Sequence, residues 1–147
     1  MKLLLKPWIY FKLFYLYLLY WFVGITQEDF NLSKANYLAD LGFFDSAIKY
    51  YEKALSDSKS PIIYASIGWC YLTNGDFNLS EEYYSKAFDK SKGNYYKLGY
   101  AISLFHNNKV DKSLLLYQEL QNYQEKFTEI EREYFVILGN LLTKDVV

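Results

Sequence analysis

The sequence predicts an all-α chain: three tandem helix-turn-helix hairpins over residues 28–126, a C-terminal capping helix, and an N-terminal hydrophobic helix. Three observations carry that prediction. Polar and apolar residues recur in phase at a spacing of 33 residues. With only 2 prolines in 147 residues, helices meet few breaks. The first 27 residues are almost wholly apolar, and their only charges are Lys2, Lys6 and Lys12. The remainder holds all 17 acids and is net acidic, which disfavours nucleic acid as a partner because phosphate recognition needs a concentrated basic face.

Trp8 to Ile25 is an apolar run broken only by Lys12. As a helix it would extend roughly 27 Å, near the hydrocarbon thickness of a bilayer. Trp8, Tyr10, Tyr20 and Trp21 fall toward its ends, where amphipathic rings prefer to sit. Three readings compete for residues 1–27. An uncleaved anchor leads, single-pass, with a cytoplasmic N-terminus and the repeats on the outer side, the periplasm in a bacterium. A cleaved signal has the right charge, but Phe22-Val-Gly-Ile-Thr offers no clear pair of small residues for cleavage; it would leave a secreted or periplasmic domain. A helix lying at the interface or docked on the repeats is the third, with Lys2, Lys6, Tyr10, Tyr17 and Tyr20 on one side of the wheel.

The hairpins divide as 28–60, 61–93 and 94–126, followed by a partial repeat over 127–147. Gly42, Gly75 and Asn108 coincide, residue types that readily take the left-handed conformation ending a helix. Three residues later Asp45, Asn78 and Asp111 are expected N-caps, and Glu81 completes a capping-box pattern with Asn78. Ala35, Gly68 and Ala101 are small residues of the first helices. In the second helices Ala47, Ser80 and Ser113 precede Tyr51, Tyr84 and Tyr117, then Ala54, Ala87 and Leu120, an i, i+4, i+7 face for burial. Ser60-Pro61 opens the second hairpin with an N-cap and a proline in the first turn.

Tyr64-x-x-Ile67-Gly68-x-x-Tyr71-x-x-x-Gly75-x-Phe77-x-x-Ser80-x-x-x-Tyr84-x-x-Ala87 resembles a tetratricopeptide repeat. The first hairpin is similar through Gly42-x-Phe44-x-x-Ala47-x-x-x-Tyr51-x-x-Ala54, but places Asn31 and Lys34 where large apolar residues are usual. The third departs further, with Asn108 for glycine and Leu120 for a small residue, and Phe135-x-x-Leu138-Gly139-x-x-Leu142 resembles the start of a fourth unit. The resemblance implies a right-handed solenoid whose first helices line a concave, partner-binding groove. That groove would hold Leu32, Asn36 and Asp40, then Ile62, Ala65, Trp69 and Leu72, then Tyr95, Leu98, Ile102 and Phe105. The alternative is that these side chains simply pack beneath neighbouring helices. Members that grip a C-terminal carboxylate use paired basic residues and asparagines in the groove; only Asn36 fits here, so chaperone tails are disfavoured.

No catalytic constellation is present. His106 is the only histidine and Cys70 the only cysteine, so neither a His-pair metal site nor a disulfide framework exists. Both read as structural residues, at a helix end and beside a buried stripe. The glycines are scattered singly rather than gathered in a phosphate loop. Glu81-Glu82 and the acids from Glu125 to Glu133 read as solvated helix faces. No cofactor or metal is expected. The sequence therefore points to a non-catalytic protein–protein interaction scaffold tethered to a membrane, taking a peptide or helix in its groove. The alternative is a structural subunit of a permanent homo- or hetero-oligomer.

Overall fold

A computed structural model of the protein describes residues 7–144. Among these residues there are eight α-helices, a 3₁₀ turn and no strand. The chain forms two units, residues 1–59 and 60–147, each considered by itself.

The first unit contains α1 (Pro7–Val23), α2 (Gln27–Asp40) and α3 (Phe44–Ser58). Helix α1 stops two residues before the end of the apolar run because Gly24 turns the backbone to φ +70°. It has 17 residues, and among the described residues no helix is long and apolar enough to cross a membrane. Lys2 and Lys6 lie outside the described residues. Helix α2 begins on Thr26, whose hydroxyl accepts from the Asp29 amide at 3.0 Å. It packs on α3 through Ala35, Ala47 and Ala54, all fully buried. Lys34, at a position where the repeat expects an apolar residue, lies over the Tyr50 ring (4.3 Å) and donates to Tyr17 Oη (3.2 Å). A cation held among aromatic faces occupies space that an aliphatic side chain would otherwise fill.

The second unit contains α4 (Pro61–Asn74), α5 (Phe77–Lys90), α6 (Asn94–His106), α7 (Val110–Gln121), a 3₁₀ turn at Gln124–Lys126 and α8 (Glu129–Lys144). Helix α4 starts on Ser60 with Pro61 in its first turn.

The three hairpin turns share one geometry. Gly42, Gly75 and Asn108 have φ of 78°, 86° and 58°. The next residue then donates to a carbonyl five positions back, Phe43 to Leu38, Asp76 to Tyr71 and Lys109 to Leu104, each at 2.9 Å. These bonds satisfy carbonyls that the helix end would leave open. So tight a turn moves the second helices forward. Phe43, Asp76 and Lys109 occupy the N-cap positions, and the expected caps Asp45, Asn78 and Asp111 fall inside the first turn. There the charges of Asp45 and Asp111 complement the helix dipole. The capping box forms elsewhere: the Thr128 amide donates to Glu131 Oε2 at 2.8 Å, and the Glu131 amide to Thr128 Oγ1 at 3.3 Å.

At Gly75 a Cβ would meet nothing within 4 Å, so a substitution there is opposed by the backbone alone. Gly75→Val is expected to cost about 1–2 kcal/mol, and Gly75→Asn much less, because asparagine tolerates the left-handed region. Thermal denaturation of the two variants checks this. Equal melting temperatures for the valine variant and the parent would remove the turn's role.

Candidate partner-binding face

In the second unit the side chain of Tyr84, from α5, passes between α4 and α6. Its ring is fully buried, and Cβ atoms added at Gly68 and Gly99 would lie 2.8 Å and 2.1 Å from ring carbons. The two glycines thus make the slot that lets these helices close on the ring. Beside it, Ser103 donates to the Gly99 carbonyl at 2.9 Å. Its single proton being used, it accepts from Ser80 at 2.7 Å. Ser113 donates to the Ala101 carbonyl at 2.8 Å. The small residues Ser80, Ser103 and Ser113 therefore permit close helix approach with their hydroxyls satisfied.

This packing decides which first-helix residues remain available. Ile62 is 46% exposed, and Trp69 is half-buried against Ala65, Tyr84 and Ala87. Tyr95 is half-buried, its ring 5.7 Å from that of Tyr134 on α8. Three other expected groove residues are core instead. Ala65 and Leu98 are fully buried, and Ile102 is 4% exposed. Leu98 and Ile102 join Leu120, Phe127, Phe135, Leu138 and Leu142 in one cluster, against which Leu72 and Phe105 pack. The reason is α8, which lies on α6 and fills the space a groove would have kept there. In the first unit Asp40 is exposed, while the Asn36 side chain accepts from Tyr51 Oη at 2.7 Å and braces α2 on α3. Leu32 is half-buried. What the second unit offers is an aromatic face of Ile62, Trp69, Tyr95 and Tyr134. Tyr134 escaped the sequence reading because α8, read as a partial repeat or cap, was left out of the expected groove. The repeat signature around Phe135 already marked it as a first helix, the kind that lines a groove.

The remaining singular residues are accounted for by packing. Burial pushes the Cys70 thiol up to about 12, so it stays protonated and a poor nucleophile at neutral pH. Burial lowers the His106 pKa, and its ring stacks on Phe77 at 4.9 Å. Burial also acts to raise the Glu81 pKa, but hydrogen bonds from Lys109 (2.7 Å) and Asn107 (2.5 Å), with the Lys109 and Lys112 charges, outweigh it and leave the pKa below the usual glutamate value. Glu81 thus ties α5 to the turn after α6 rather than capping its own helix. Among the described residues no group of His, Cys, Asp and Glu could hold a metal ion.

Residues 32–95 match the tetratricopeptide repeat family. In fold, the chain is similar to the crystal structure of yeast Tom70, with a TM-score of 0.62 and 21% identity, over 77% of this chain and 23% of that one. The chain therefore spans less than a quarter of the length of that protein. Comparison with curated proteins finds no match. Residues 32–95 thus carry the tetratricopeptide repeat match, and the chain's fold is that of stacked helical hairpins.

Proposed function

We propose that the protein is a non-catalytic scaffold that binds a partner peptide or helix across the aromatic face of its second unit. The observation that carries this reading is the set Ile62, Trp69, Tyr95 and Tyr134, left partly exposed on the first helices of a repeat stack. Aromatic side chains on a rigid helical face bury large areas at small entropic cost, which suits them as anchors. Within the same unit Leu72 and Phe105 pack against the buried cluster that includes Ile102. The scaffold is held to a membrane through α1, with the repeats outside the bilayer.

Trp69→Ala is expected to remove capture of a partner from native membranes while leaving helicity near the parent value. Because Trp69 packs partly on the Tyr84 cluster, a stability cost of about 1–2 kcal/mol accompanies the change. Parallel co-purification and circular dichroism check it. Retained capture would exclude this face, and a collapse of helicity would place Trp69 in the core.

One observation favours a second reading, a subunit of a permanent assembly. Leu114 and Leu115 on α7, with Ile130 and Ile137 on α8, are exposed large apolar residues of the second unit. A stable oligomer in light scattering without added ligand would support that reading over the first.

A further inference from the structure

We infer that α1 lies in the plane of a lipid bilayer, with one aromatic stripe among the acyl chains and its opposite face on α2. This rests on the tethering reading above and specifies its mode. Placed on a helical wheel, Phe11, Phe14, Tyr15, Leu18, Trp21 and Phe22 share an arc of about 120°. All six are exposed, Trp21 at 80% and Phe22 at 84%. The less exposed Leu13, Leu16, Leu19 and Tyr20 occupy the opposite arc.

That inner arc is used. Tyr20 lies 5.2 Å from the Phe30 ring of α2 and Lys12 Nζ 4.9 Å from the Tyr37 ring, while Tyr17, between the two arcs and 47% exposed, lies 5.0 Å from Phe30. These contacts set α1 and α2 antiparallel. A helix so held cannot be buried end to end in hydrocarbon without carrying Glu28, Asp29 and Lys34 of α2 with it, which charge desolvation opposes. Lying flat, it buries the stripe and leaves α2 at the aqueous side.

Charge complementarity selects the occupant. Before Glu28 the chain has only lysines for charges. Anionic headgroups attract them, whereas a second copy of α1 would bring more charge of the same sign. Tyr and Trp in the stripe suit the interfacial depth.

The test uses the full chain with vesicles of phosphatidylcholine, with and without phosphatidylserine. The expected result is flotation with the mixed vesicles and weaker flotation with phosphatidylcholine alone. Phe14→Ser with Trp21→Ser is expected to reduce partitioning more than about tenfold, with helicity unchanged because both side chains are exposed. Depth follows from quenching by brominated lipids in single-indole chains carrying Trp8→Phe and Trp69→Phe. One of these keeps Trp21; the other adds Trp21→Phe and Tyr15→Trp. Equal, shallow depths at positions 15 and 21 are expected for a flat helix. A much deeper position 15 would show a spanning helix, overturning the in-plane placement while leaving the tether intact. No flotation, or stripe variants that float like the parent, would overturn the placement and the tether together. A dimer that depends on the stripe and ignores vesicles would assign the face to a second copy instead.

Discussion

Gly99→Ala is expected to destabilise the second unit by about 3 kcal/mol, the largest effect of any single methyl group added to this protein. The new Cβ would lie 2.1 Å from one Tyr84 ring carbon and 2.5 Å from two others. Relief would need the ring to rotate, but Gly68 confines its other side, where an added Cβ would meet it at 2.8 Å. Relief by moving α6 would stretch the hydrogen bond between Ser80 of α5 and Ser103 of α6. Chemical denaturation followed by circular dichroism measures the loss. The clash is specific to the ring, so Tyr84→Leu in the Gly99→Ala background should recover part of the loss, although alone it opens a cavity and destabilises. A double-mutant cycle showing strictly additive effects would mean that the two residues do not meet. Tyr84→Phe keeps the ring and removes only the hydroxyl that neighbours Tyr134 Oη, so it should cost about 1 kcal/mol or less.

Leu138→Ala is the second large effect, expected at about 3 kcal/mol from lost burial and the cavity left behind. Leu138 is fully buried in the cluster that joins α6, α7 and α8. Around it Phe135 stacks on Tyr117 at 4.5 Å, and Phe127, just after the 3₁₀ turn, lies 5.5 Å from Phe135. The prediction separates two views of the C-terminal helix. If α8 only shields the end of the stack, its local loosening would leave the melting of α6 and α7 unchanged. If it supplies core, the whole unit melts earlier in a single transition. Hydrogen exchange at Leu98 and Ile102 amides distinguishes them, with faster exchange in the variant expected.

Much of the fold was legible because its signals are local. A left-handed residue between two helices needs glycine or asparagine whatever surrounds it, and Gly42, Gly75 and Asn108 stand where the backbone has positive φ. Small residues recurring at 33-residue spacing mark close helix approach, and Ala35, Ala47, Ser80, Ala101 and Ser113 are fully buried or nearly so. The caps were read less well. Asp45, Asn78 and Asp111 are good capping types, yet the turn closes a little earlier than spacing alone suggests. The true capping box, Thr128 with Glu131, has its signature in plain sequence but outside the repeat register. The candidate face was legible only in part. Leu98 and Ile102 carry the same periodicity whether they line a groove or support one, and only the presence of α8 over them decides which.

By itself the sequence determined the helical hairpins, their turns and the apolar character of the N-terminal helix, since each follows from a few neighbouring residues. The tertiary structure decided three further things. Tyr84 became a wedge between two glycine backbones, Asn36 a brace for Tyr51 rather than a free groove residue, and α1 a helix with one face on α2 and the other exposed. The physical reason is common to all three. Helical periodicity says which residues share a face, but what covers that face depends on elements distant in the chain, and burial is settled only when they meet.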